Sequence, residues 1–117
     1  MDIKREVLKL AQEARLAARV IAGVSSTVKD RALLNMADKL GQGFENLLEA
    51  NREDLDGARN RGLSSAMIDR LTLTSQRIKE MAAGIREVAA LPDPVGEIVK
   101  MWRRPNGLQV GKIRTPL

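Results

Sequence analysis

Trp102 stands among Lys100, Arg103, Arg104, Lys112 and Arg114. An aromatic face flanked by cations can stack a base and grip phosphates, as single-stranded nucleic-acid binders do. The same cations could instead guide a small anionic substrate by long-range attraction, or line an interface strand and face water or a partner's carboxylates. A stacking platform needs more than one ring, and the whole chain has one Trp, one Phe and no Tyr. The expectation is therefore an interface strand, with no nucleic acid among the partners.

A second polar set is Asn51, Asp54, Asp69 and Arg70. Such residues can reach into a substrate cleft or a neighbouring subunit. They can equally cap and bridge helices, with Asp54 near a helix start and Asp69–Arg70 as a buried or half-buried ion pair. The structural reading is expected, because capping and pairing are what short polar side chains do at such positions. Met36, Met67, Met81 and Met101 read as core filler rather than as a ligand set. Lys9, Arg15, Lys39 and Arg52, interleaved with Asp and Glu, read as solvated helix faces.

What is missing narrows the chemistry further. With no Cys and no His, the chain has no disulfide, no thiolate nucleophile, no Cys/His zinc site and no imidazole base. No phosphate-binding glycine loop, nucleophile elbow or calcium loop appears either. No catalytic, cofactor-binding or metal-ligating residue is expected in this chain. No stretch is apolar enough to span a membrane, and the N-terminus lacks a signal-peptide core, so a cytoplasmic protein is expected.

The chain carries 20 Lys and Arg against 15 Asp and Glu. Residues 1–60 are balanced, whereas residues 97–117 hold five cations against Glu97 alone. Nearly all the excess thus lies at one end, which calls for an explanation.

The elements that must position these side chains follow from periodicity. Ile3, Val7, Leu10, Ala14, Ala17 and Ile21 recur at helical spacing, with Asp2 as N-cap and Gly23 just past the end. Ser25, Ser26 and Thr27 offer caps for a second helix, and Thr27 with Asp30 resembles a capping box. That helix carries Val28, Ala32, Leu33, Met36, Ala37 and Leu40 until Gly41–Gly43 interrupts it. A third run starts near Phe44 and ends at Asn60–Gly62. A short helix follows, capped by Ser64 or Ser65, and Thr74 caps a last one that Pro92 and Pro94 stop. Beyond Pro94 the period becomes two. Ile98, Lys100 and Trp102 alternate with Val99, Met101 and Arg103, and Asn106-Gly107 marks a hairpin.

The expected fold is mainly α, four to five helices plus a C-terminal β-hairpin. Its parts are a helical segment (1–91), a Pro-containing connector (92–96) and a basic hairpin (97–117). A lone hairpin is marginal in water and its edges invite pairing, so the hairpin is expected to belong to a larger assembly.

From Glu49 to Val99 the order "AN..DL..AR..GLS.AM.DRL.LT..R", then "DPVG" and a basic hairpin ending in "TPL", resembles the gamma-glutamyl phosphate reductase family of the aldehyde dehydrogenase superfamily. The resemblance extends, more loosely, over the first 25 residues. It implies the N-terminal portion of an α/β fold, cut before the first Rossmann strand. It further implies NADPH-dependent reduction of L-glutamate 5-phosphate in proline biosynthesis, by a cysteine that this chain lacks. NADPH would serve the whole enzyme and none would be held by this segment, which is expected to be inactive alone. The hairpin resembles the arm through which such subunits associate, making a homo-oligomer and the rest of the same polypeptide the expected partners. Two alternatives remain: a stand-alone helical module that docks on a sheet edge through its hairpin and, ranked below it, a small basic nucleic-acid binder.

Overall fold

The computed structural model describes residues 2–116. Among them five helices are followed by one antiparallel hairpin: α1 Ile3–Ala22, α2 Ser26–Gln42, α3 Phe44–Asn60, α4 Ser65–Leu71, α5 Ser75–Ala90, β1 Ile98–Arg103 and β2 Gln109–Ile113. The expected architecture is the one observed. Met1 and Leu117, the outer bounds of the expected helical segment and hairpin, lie outside the described residues.

Local chemistry sets the helix starts. Asp2, Ser64 and Thr74 each take an extended backbone and accept the N–H three residues on, from Arg5, Met67 and Arg77. These side chains satisfy donors that a helix leaves free in its first turn. At α2 the cap is Ser25, whose Oγ accepts from Val28 N at 3.4 Å. Thr27 lies inside the helix, so the expected Thr27–Asp30 capping box does not form. Gly23 closes α1 at φ −97°, donating its N–H toward Val20 and Ile21. α5 stops at Ala90, two residues before Pro92, while α2 runs through Gly41 and ends at Gln42, one residue before Gly43, so the expected break at Gly41 falls two residues later.

The chain divides into two compact units, one of residues 29–91 and one combining 1–28 with 92–117. In the first, α3 packs on α4 and α5. Its core is small: Ala37, Leu55, Ala58, Ile78 and Ala82 are buried, and Ile78 is the one large side chain fully enclosed among the described residues. Three of the five are alanines, which permit close helix approach but bury little area each. The methionines do not join them. Met36, Met67, Met81 and Met101 are all exposed, correcting the expectation of core filler.

In the second unit, α1 buries no residue, and Val7, Leu10 and Ile21 on its apolar stripe are exposed. Asp93 sits on the connector to the hairpin. It accepts from Ser26 Oγ at 3.0 Å and from Val95 N at 3.0 Å.

The hairpin register pairs Ile98 with Ile113, Lys100 with Lys112, Met101 with Gly111, Trp102 with Val110 and Arg103 with Gln109. A bulge between Ile98 and Lys100 leaves Val99 without an opposite residue. One extra residue re-phases the strand. Ile98 therefore shares a face with Met101 and Ile113 rather than with Lys100 and Trp102, as simple alternation had suggested. The turn differs in detail too. Gly107 N donates to Arg104 O at 2.9 Å, enclosing Pro105 and Asn106, and Gly107 takes φ +85° while Asn106 stays negative. A two-residue Asn-Gly turn would need both to be positive. Pro105, with its fixed φ, favours this wider turn followed by a left-handed glycine.

Candidate functional site

Two places gather the polar residues singled out in the sequence. The first is the junction of α3, α4 and α5. Asn51, halfway along α3, is the one buried polar residue among those described. Its Nδ2 donates to Leu71 O at 2.9 Å and its Oδ1 accepts from Leu73 N at 2.8 Å. Both ends of the amide thus close backbone groups left over where α4 stops and α5 has not begun. Arg77 works on the same connection from the far side. Its Nη1 donates to Asp69 O at 2.6 Å and to Thr72 O at 2.7 Å, while Nη2 meets the Asp69 carboxylate at 3.2 and 3.3 Å.

The structure therefore gives Asp69 to Arg77, not to Arg70, and the pair is exposed. Arg70 is exposed as well, and Asp54 lies in the interior of α3 on its solvent side rather than near a start. Of the four residues only Asn51 and Asp69 meet around one structural feature. Arg77 was not foreseen. Its position three residues after the Thr74 cap was visible, but nothing in one dimension shows that its fork reaches back over α4. Lys9 behaves as expected, pairing with Glu13 at 3.8 Å on an exposed face.

A shallow groove of about 420 Å³ runs between α2 and α5, lined by Ala37, Phe44, Ile78, Ala82, Lys79 and Arg86. Arg86 is held by Asp38 at 2.7 Å. No ionisable side chain is buried among the described residues, and no three potential metal ligands converge. The geometry assembles no acid–base pair.

The second place is the hairpin. Lys100 and Lys112 face each other directly across the strands, and Lys100 Nζ sits 5.7 Å from the centroid of the Trp102 ring. The indole face is thus already occupied by a cation, which opposes a base-stacking role. At the open end Arg114 reaches Glu97 at 3.6 Å, and their backbones continue the ladder through Gly96 and Arg114. On the other face Ile98, Met101 and Ile113 form an exposed aliphatic row. Met101 lies over Gly111: a Cβ there would sit 2.5 Å from its Sδ. The hairpin therefore presents one face carrying Lys100, Trp102 and Lys112, a second on which the aliphatic row lies beside Arg103, and two unpaired edges among the described residues. This arrangement suits docking better than catalysis.

The residues present do not fit a nicotinamide dinucleotide. A Rossmann-type site for that ligand uses a glycine-rich turn running from a strand into a helix, and among the described residues no strand leads into a helix. Among the described residues no helix is long and apolar enough to cross a membrane.

No family model matches the sequence. Curated relatives match it over all 117 residues. The chain is 54% identical to gamma-glutamyl phosphate reductase of Thermodesulfovibrio yellowstonii and 51% identical to that of Moorella thermoacetica, covering 28% of each. The backbone matches the crystal structure of the Thermotoga maritima gamma-glutamyl phosphate reductase with a TM-score of 0.90 at 38% identity, over 95% of this chain and 27% of that one. The Saccharomyces cerevisiae enzyme gives a TM-score of 0.84 at 29% identity, over 92% and 28%. The chain spans 28% of the length of the curated relatives it matches.

Proposed function

We propose that this chain is the N-terminal part of a gamma-glutamyl phosphate reductase, and that its helices and hairpin are the scaffold of that enzyme rather than its chemistry. The observation that carries this reading is 54% identity distributed over all 117 residues. The matching backbone supports it.

The reaction is reduction of L-glutamate 5-phosphate with NADPH to L-glutamate 5-semialdehyde and phosphate, a cytoplasmic step of proline biosynthesis. When bound, NADPH supplies the hydride. A thiolate suits the acyl transfer, being both nucleophile and leaving group, and this sequence has no Cys. The nucleophile and the NADPH pocket are therefore assigned to residues outside these 117. What the present residues contribute is position. Asn51 and Arg77 fix the α4–α5 connection, and the hairpin offers its edges and aliphatic row to the rest of the polypeptide and to a second subunit. A two-stranded sheet is marginal in water, and neighbouring strands would stabilise it.

A chimera tests the reading. The matching segment of the Thermotoga maritima reductase is exchanged for this chain, and phosphate-dependent reduction of NADP with glutamate 5-semialdehyde is followed. Activity within about tenfold of the parent is expected, a change of about 1.4 kcal/mol or less in the barrier. A folded but inactive chimera overturns the proposal. Turnover by the 117-residue chain alone overturns the scaffold assignment.

A further inference from the structure

We propose that Asn106 is a site of spontaneous deamidation, so that the hairpin turn carries an ageing switch. The chemistry needs a flexible backbone nitrogen beside a side-chain amide. Asn106-Gly107 is the one Asn-Gly pair in the sequence, and Asn106 is exposed at the hairpin tip.

The turn geometry favours the reaction. Leu108 N donates to Asn106 Oδ1 at 3.1 Å, so the amide side chain wraps around Gly107. When Gly107 N adds to Asn106 Cγ, negative charge develops on that same Oδ1, and its hydrogen-bond donor is already in place. Gly107 has no Cβ to obstruct the approach. One contact acts in the opposite sense: Gly107 N–H donates to Arg104 O at 2.9 Å and must release it first. Hydrogen bonds at an exposed turn open at little cost.

The step balances without any co-reactant except water. The Gly107 N–Cγ bond forms, the Cγ–Nδ2 bond breaks, and ammonia leaves with the proton from Gly107 N. Water then opens the five-membered imide at either carbonyl, giving aspartate or isoaspartate at position 106. Both products place a carboxylate beside Arg103 and Arg104. Isoaspartate also inserts a methylene into the backbone, which the tight turn cannot accommodate. None of this depends on the reductase reading.

The test is incubation of the 117-residue chain in neutral and mildly alkaline buffer, with peptide mass spectrometry and isoaspartate detection. An unstructured peptide spanning residues 103–110 serves as reference. Conversion at Asn106 is expected to be at least as fast as in the peptide and about tenfold or more faster than at Asn35, Asn46, Asn51 or Asn60. Leu108→Pro removes the donor to Oδ1 and is expected to slow the intact chain. Absence of isoaspartate at 106 while the peptide converts, or faster conversion at another asparagine, overturns the proposal. An unchanged rate in Leu108→Pro overturns the role given to the Leu108 N–H.

Discussion

Asn51 holds Leu73: the backbone N–H of Leu73 donates to the Asn51 Oδ1 at 2.8 Å, across 22 positions of sequence. With the second bond to Leu71 O, one buried amide stands in for the backbone partners that are lost where α4 ends and α5 has not begun. Replacing it by Leu would strand a donor and an acceptor together. Asn51→Leu should destabilise the 29–91 unit by about 2–4 kcal/mol, because each orphaned buried group costs about 1–3 kcal/mol. Asn51→Asp keeps the acceptor and, with its carboxyl protonated in mild acid, a donor toward Leu71 O, so it should lose less than Asn51→Leu there, whereas the ionised form would bury a charge against that carbonyl. Urea unfolding followed by far-UV circular dichroism measures both variants, and equal losses in mild acid would remove the claim that the acceptor matters.

Arg77 and Asp69 should separate in a double-mutant cycle. Their ion pair is exposed, so Asp69→Asn is expected to cost under about 1 kcal/mol. Arg77→Ala also loses the donors to two carbonyls and should cost about 1–2 kcal/mol more. Equal effects of the two substitutions would place the energy in the ion pair instead.

Lys100 and Lys112 repel each other across the hairpin. Lys112→Glu should stabilise the strand pair by about 0.5 kcal/mol, the scale of a cross-strand charge pair. Amide exchange at Trp102 and Val110 reports it. Added salt should protect those amides in the original chain and weaken them in the variant, since screening reduces repulsion and attraction alike.

Two glycines of the hairpin should respond differently to alanine. At Gly107 the positive φ makes a side chain costly, by about 1–2 kcal/mol. At Gly111 the obstacle is the thioether of Met101, a flexible end that can swing aside. Gly107→Ala should broaden the hairpin resonances in NMR spectra, and Gly111→Ala should leave them sharp.

Much of the fold was legible in one dimension because its signals are local. Asp2, Ser64 and Thr74 announced their helices, Pro92 and Pro94 ended the last one, and the change of period marked the hairpin. Asn51 was recognised as structural, but its partners were not, since Leu71 and Leu73 are neighbours only after α3 and α4 have folded. The Val99 bulge left no trace in the alternation, because an extra residue in a strand is defined by its opposite strand. The methionines misled for a similar reason. The spacing that put Met36, Met67 and Met81 on helix faces and Met101 on a strand was correct, yet spacing says which face a residue occupies and not whether anything covers it. The basic hairpin was visible as composition; that Lys100 already occupies the Trp102 ring needed coordinates.

The α1 helix, with 20 residues and no buried side chain, has a thermal consequence. A helix that tertiary packing does not hold has a helicity that falls with temperature, and its ends fray first. On warming, α1 should lose ellipticity gradually and early, ahead of the sigmoidal step from α3 to α5, so calorimetry would register less heat than the total helix content implies.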